Sequence, residues 1–326
     1  MNKKQMIAVV VAVLLFTGAG LIGFGGNIIM NLVFPESSSS SEGTEVFPIG
    51  DFVGIVEIVG TIQDLGEENV FSTTGEYNHT TAVKYIEELS EAENNVAILL
   101  YIDSPGGYAN IGDDLYLELM EYKEETGRPI YAYFDSLAAS AAYYAAMAAD
   151  EIYANRMTTT GSIGVYSAYY EMSELFEKIG VKEVIIKSGK NKAMGSSGTP
   201  MTDEQMAIMQ EQVDYIYETF VDVVVAGRGL DRQTVYKLAD GRSYTAEQAL
   251  EYDMIDGISR YEEYQERVKE HLGGEVEFYS KDSVPSPFAG LLGELKEVTP
   301  KSDYQVITEI IEKNANGGYK YESIYR

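Results

Sequence analysis

Val96-Ala97-Ile98-Leu99-Leu100-Tyr101-Ile102 is a continuous apolar run of strand length, and it leads directly into Asp103-Ser104-Pro105-Gly106-Gly107. An unbroken run, rather than an apolar–polar alternation, marks a strand covered on both faces, as in a parallel sheet flanked by helices. The flanks agree with that reading. Thr80–Leu89 and Ile111–Thr126 carry helical periodicity, and the second is closed by Gly127-Arg128-Pro129. Further strands read at Phe52–Gly60, Ile130–Phe134, Glu151–Ala154 and Val181–Lys187. Helices read at Ser140–Ala149, Met172–Ile179, Thr202–Ala226, Asp231–Ala239 and Thr245–Tyr252. Thr202 followed by Gln205 has the spacing of a capping box. Strands alternating with helices predict parallel βαβ units and an α/β fold.

Composition narrows the function. The 326 residues are 45% hydrophobic, enough for one large domain or two modest ones. There is no cysteine, which excludes disulfides, thiolate metal sites and a cysteine nucleophile. The two histidines, His79 and His271, read as surface or capping residues at helix ends. A Ser-His-Asp triad and a histidine-rich metal site are therefore poorly supported, and neither a metal nor another cofactor is expected. The formal net charge of −28 repels nucleic acid, whose binding needs clustered Lys and Arg. An acidic surface of this kind keeps an exposed protein soluble.

The chain divides into four parts. Asn2-Lys3-Lys4 is a short basic start, and Met6 to Phe34 is almost wholly apolar and uncharged. That run exceeds the roughly 20 residues a spanning helix needs and outlasts the apolar core of a cleaved leader. Residues 1–35 are read as a cytoplasmic start and an uncleaved anchor, which places the following domain outside the cytoplasm at the cell membrane. Residues 36–46, with the serine run Ser37–Ser41, have linker composition. Residues 47–275 form the folded domain. Residues 276–326 are read as a loosely structured tail, interrupted by Ser283-Val284-Pro285-Ser286-Pro287 and by Asn314-Ala315-Asn316-Gly317-Gly318. The tyrosine-rich end, Gly318 to Arg326, has the character of an extended strand able to lie in a peptide groove.

The chemistry centres on Leu137-Ala138-Ala139-Ser140-Ala141-Ala142-Tyr143-Tyr144. Ser140 is the sole hydroxyl in an alanine run, at the end of a buried strand and the start of a helix, where α/β folds place ligands and nucleophiles. Alone it reads equally as a small polar residue tolerated in a tight helix. A serine nucleophile needs a base, and a lysine serves if burial lowers its pKa. Lys192, 52 positions downstream, fits that role, with Lys187 and Lys190 as rivals by proximity. The Pro105-Gly106-Gly107 turn lets the backbone approach a ligand. Ser104 is a less plausible nucleophile because it precedes a proline in a turn.

Taken together, a set of motifs resembles the bacterial signal peptide peptidase A family of the short, single-domain type. They are Ile102-Asp103-Ser104-Pro105-Gly106-Gly107, Ala138-Ala139-Ser140, Tyr143-Tyr144, Thr160-Gly161-Ser162-Ile163-Gly164-Val165, Ile186-Lys187-Ser188-Gly189 with Lys192, and Asp240-Gly241-Arg242. The resemblance covers about residues 52 to 260, in order. It implies a Clp-protease/crotonase-like spiral of ββα units and a membrane-anchored homo-oligomer that degrades signal-peptide remnants. By the same resemblance Ser140 is the nucleophile, Lys192 the base and Ser162 the residue that orients the lysine. Gly106, Gly107 and Ala141 then line the oxyanion hole, and Lys192 reaches Ser140 of a neighbouring subunit. One departure stands out. The family usually carries two glycines after the serine, where this chain has Ala141 and Ala142. Two other functions stay open at this point. One is a catalytically weak scaffold of the same fold that binds membrane peptides or proteins. The other is a crotonase-like acyl-CoA enzyme, disfavoured by the anchor and by the lack of a basic surface.

Overall fold

The structure, a computed structural model, describes residues 47–64 and 77–281 and the backbone of Lys320–Glu322. The expected anchor, the serine linker and most of the tail lie outside the described residues. Among those described, no helix is long and apolar enough to cross a membrane.

The first strand, β1 (Phe52–Val59), is followed by α1 (His79–Glu91) and then by β2 (Asn95–Ser104), the run that decides the fold. Residues 97 to 100 of β2 are entirely buried. β1 and β2 pair in parallel, joined by the α1 crossover. Helix α1 buries Ala82, Tyr85, Ile86 and Leu89. Leu89 fits because Gly54 of β1 carries no side chain: a Cβ there would lie 2.5 Å from the Leu89 methyl groups. Asn78 caps α1 by accepting from the Thr81 N–H at 3.1 Å.

After β2 the chain turns at Pro105 into a short strand, β3 (Gly106–Tyr108), and then α2 (Ala109–Thr126). Gly127, with φ at +67°, ends α2 in the left-handed conformation that glycine adopts without strain. β4 (Ile130–Ala139) pairs in parallel with β2 and leads into α3 (Ala141–Ala146), β5 (Glu151–Ala154) and β6 (Thr159–Gly161). β4 forks. Its first half, Tyr131–Phe134, pairs with β5, whereas Leu137–Ala139 pairs with β6. The remaining elements are α4 (Ser173–Lys178), α5 (Asp203–Arg228), α6 (Arg232–Leu238), β7 (Ser243–Thr245), α7 (Ala246–Glu251), β8 (Gly257–Ile258), α8 (Tyr261–Leu272), β9 (Glu277–Ser280) and β10 (Lys320–Glu322). Thr202 and Gln205 form the capping box of α5 that the sequence predicts.

The described strands make an eight-stranded sheet in the order β7-β6-β4-β2-β1-β9, with β5 joined to β4 and β8 to β5. Every pairing in it is parallel except β6–β7. One face is covered by α8, whose Tyr264 and Val268 pack on Val53, Ala97, Leu99, Tyr131 and Tyr133. A mixed α/β fold with a parallel-rich sheet is thus what the apolar runs predict.

The structure departs from the sequence reading in three places. Glu277–Ser280, assigned to a loose tail, is strand β9 and extends the sheet in parallel beside β1. Its residues are only partly covered, so they lack the apolar run that marks an inner strand. Val181–Lys187, read as a strand, joins no sheet and is exposed throughout. Its apolar residues have no partner surface in the described chain, Val184 being 74% and Ile186 97% accessible. His79 is no surface residue. It is buried, with Nδ1 2.8 Å from the Tyr77 hydroxyl and Nε2 2.8 Å from Asp114.

Candidate active site

Ser140 lies between β4 and α3, at the carboxyl edge of the parallel sheet. Its backbone has φ 59° and ψ −122°, a conformation that L-residues with a side chain avoid. Holding a residue there costs about 1–3 kcal/mol and persists only where the surroundings fix it. The surroundings do so here. The Ser140 N–H donates to the Gly161 carbonyl at 2.8 Å, and the Ser140 carbonyl accepts from the Tyr144 N–H at 2.9 Å. The Oγ atom is buried and has no hydrogen-bond partner among the described residues. A strained serine on a sharp strand-to-helix turn, with an uncommitted hydroxyl, is the geometry of a nucleophile.

Helix α3 explains the alanine run. All six of its residues are buried. Its tyrosines anchor it in two directions. The Tyr143 hydroxyl donates to the Met254 carbonyl at 2.9 Å, and the Tyr144 hydroxyl donates to Asp113 Oδ1 at 2.5 Å. Full burial pushes the Tyr143 phenol well above its ordinary pKa, so it stays a neutral donor.

β6 delivers Ser162. In the β4–β6 register Ala139 stands opposite Gly161, so Ser140 and Ser162 follow as the next residues of two neighbouring strands. Ser162 is buried, has φ 51°, and donates its N–H to the Arg242 carbonyl at 2.9 Å. The Asp240-Gly241-Arg242 turn thus holds the loop that carries Ser162.

β3 supplies the glycines. Gly106 has φ +95°, and a Cβ there would lie 2.7 Å from the Ala139 carbonyl, 2.8 Å from the Ala141 nitrogen and 2.8 Å from the Ser140 Cβ. Gly107 is more constrained, since its Cβ would fall 1.9 Å from the Ile62 carbonyl oxygen. The Gly106 N–H donates to Ser104 Oγ at 3.1 Å. That bond accounts for the buried Ser104 hydroxyl and leaves Gly106 contributing open space. One edge of β3 is held by Ile62, whose N–H donates to the Gly106 carbonyl and whose carbonyl accepts from the Tyr108 N–H. The other edge pairs antiparallel with β10, Tyr321 opposite Gly107.

Among the lysines, Lys187 donates to the Lys190 carbonyl at 2.9 Å, and Lys190 pairs with Glu204. Lys192 sits in a turn and is exposed. The structure therefore brings Ser140, Ser162, the two glycines and Ala141 together, and within one chain Lys192 makes no bond to the Ser140 hydroxyl. No histidine bonds to it either. The sequence reading missed Gly112 of α2, against which the Ala141 methyl group rests. As a lone glycine in a helical pattern it gave no signal.

Near the site Asp103 accepts from the Leu137 N–H at 3.1 Å, tying the end of β2 to β4. Burial, and then the neighbouring Asp135, push its carboxyl above the ordinary range.

Residues 122–274 match the model of peptidase family S49. The chain is 34% identical, over 253 residues, to a putative signal peptide peptidase SppA of Enterococcus faecium, spanning 78% of this chain and 70% of that one. It is also 34% identical over 206 residues to a putative protease of Synechocystis, covering 63% and 72% of the two chains. A chloroplastic serine protease SPPA of Arabidopsis thaliana is 32% identical over 54% of this chain and 26% of its own. The matched residues include Ser140, Ser162 and Lys192, and the identity runs through most of the two bacterial relatives: the chain belongs to peptidase family S49, as a signal peptide peptidase A-type peptidase.

Proposed function

We propose that this peptidase is a membrane-anchored serine endopeptidase that cleaves signal-peptide remnants or other membrane-proximal peptides with a Ser140–Lys192 dyad. The observation that carries the proposal is Ser140 itself, strained, buried and with an unengaged hydroxyl. In this mechanism neutral Lys192 takes the Oγ proton, and Oγ attacks the scissile carbonyl. Ser162 orients the lysine amine. The developing oxyanion is met by the Gly107 and Ala141 N–H groups, Gly106 leaving the space between them. Lys190 is instead engaged in an ion pair with Glu204. The forked β4 supports a spiral of ββα units of the Clp-protease/crotonase type.

Two features support a homo-oligomer in which the dyad forms between subunits. Lys192 projects from the segment that exposes Tyr170, Ile179, Val184 and Ile186. That apolar surface is what a second copy of the chain would cover. Peptide substrate would add as an antiparallel strand to the edge of β3 that β10 takes. The carboxyl-terminal segment on this reading competes with substrate.

A serine-directed phosphonate tests the chemistry. It should label Ser140 in the wild type and not in Ser140→Ala. An unlabelled wild type, folded and assembled, would sink the proposal. Topology is tested separately in spheroplasts, where added protease should cut the Ser37–Ser41 linker; a protected linker would overturn the orientation.

A further inference from the structure

We infer that Gly112 is a positioning residue for catalysis: by lacking a side chain it seats the Ala141 methyl group and so fixes the Ser140–Ala141 peptide. The inference rests on the proposed role of that peptide in the active site. Gly112 lies in the first turn of α2, where a glycine is a poorer helix former than almost any other residue. Its retention has a local reason. A Cβ at position 112 would stand 2.9 Å from the Ala141 Cβ and 3.5 Å from its Cα and carbonyl oxygen. The first of these is closer than two carbons can sit. The atom in the way is no flexible side-chain end but a methyl fixed to the backbone, so one of the two helices must shift.

α2 is poorly placed to shift. The residue next to Gly112, Asp113, accepts the Tyr144 hydroxyl at 2.5 Å, and Tyr116 meets the Tyr144 ring edge-on at 5.5 Å between centroids. These contacts clamp α2 to α3 one turn beyond Ala141. The strain is relieved more easily at the start of α3, where Ala141 follows the already strained Ser140. On the opposite side Gly106 lies against the Ala141 nitrogen. Ala141 is therefore held between two glycines, one clearing its amide and the other its methyl. An alanine directly after the nucleophile is compatible with a working site because position 112 supplies the missing volume. The departure from the usual glycines after the serine is matched across the α2–α3 contact.

The test is a swap of one methyl group in the full-length, assembled protein. Gly112→Ala should lower kcat about tenfold or more, with KM within about threefold of wild type, since β3 is untouched. Ala141→Gly alone sets the reference rate against which the pair is read. The double variant Gly112→Ala/Ala141→Gly, which conserves volume, should recover kcat to within about threefold. Phosphonate labelling per folded molecule, with folding followed by circular dichroism, separates catalysis from stability. A double variant as slow as Gly112→Ala, or a Gly112→Ala enzyme with unchanged kcat, overturns the inference. Should Gly112→Ala not fold, the double variant decides alone, and its failure to fold or to react overturns it equally. A wild type that the phosphonate does not label counts instead against the serine-protease proposal.

Discussion

The segments around Ser140 and around Lys192 contrast sharply within one chain. The first is buried on all sides, hydrogen-bonded at every turn, and held in a strained backbone by β6, α2 and β3. The second, residues 165–201, is largely exposed, joins no sheet beyond an isolated bridge, and turns apolar side chains to solvent. On the proposed reading the chain divides its catalytic site: the half around Ser140 is finished by the fold, and the half around Lys192 would be finished by a neighbouring copy.

The largest effect that could break this contrast is loss of the chemistry. Ser140→Ala and Lys192→Ala should each lower peptide cleavage by about a thousandfold or more while circular dichroism stays unchanged, because nucleophile and base act as one unit. Lys190→Ala should retain most activity. Near-full activity in Lys192→Ala would transfer the role to another residue.

The next effect concerns the edge of β3 that β10 occupies. Removing residues 319–326 should raise kcat/KM for an added peptide several-fold through KM, since strand β10 then no longer occupies that edge. Unchanged kinetics would mean that β10 does not compete with substrate. The cut must spare β9, which belongs to the sheet.

A smaller effect measures the strain in the finished half. Ser140→Gly should be inactive yet more stable by about 1 kcal/mol, because glycine adopts positive φ freely and no buried hydroxyl is left without a partner. A destabilised Ser140→Gly would mean that the positive φ is not a store of strain. The smallest effect lies at Asp103. Its folded-state pKa is raised by burial and by Asp135, so its ionisation opposes folding. The cost is absent below the unfolded carboxylate pKa and complete above the folded one. Asp103→Asn should therefore raise Tm slightly at pH 7, with the difference shrinking as pH falls towards about 4 and absent below it. A lower Tm at pH 7 would show that the bond to Leu137 outweighs the repulsion.

Much of the finished half was legible in the sequence. The apolar run of β2, the alanines of α3 and the Thr202–Gln205 cap follow from burial and local hydrogen bonding, which leave patterns over a few residues. The rest depends on contacts that no local pattern records. Gly112 matters because Ala141 lies against it across two helices. β9 is half-exposed and carries no inner-strand signature. The 181–187 segment has a strand's composition but joins no sheet within the described chain. His79 sits at a helix start like a capping residue, yet its Nε2 meets Asp114 of α2, 35 positions away, while the neighbouring Tyr77 hydroxyl meets its Nδ1.

The central claim is that the dyad is completed between subunits, and subunit mixing tests it most directly. Ser140→Ala and Lys192→Ala chains should each be inactive alone. Co-expressed in equal amounts, they should recover up to about a quarter of wild-type activity, the fraction of head-to-tail contacts that pair an intact serine with an intact lysine. Recovery at that level is the predicted result. No recovery, from mixed assemblies shown to contain both chains, would mean that Lys192 serves the serine of its own chain and would contradict the account.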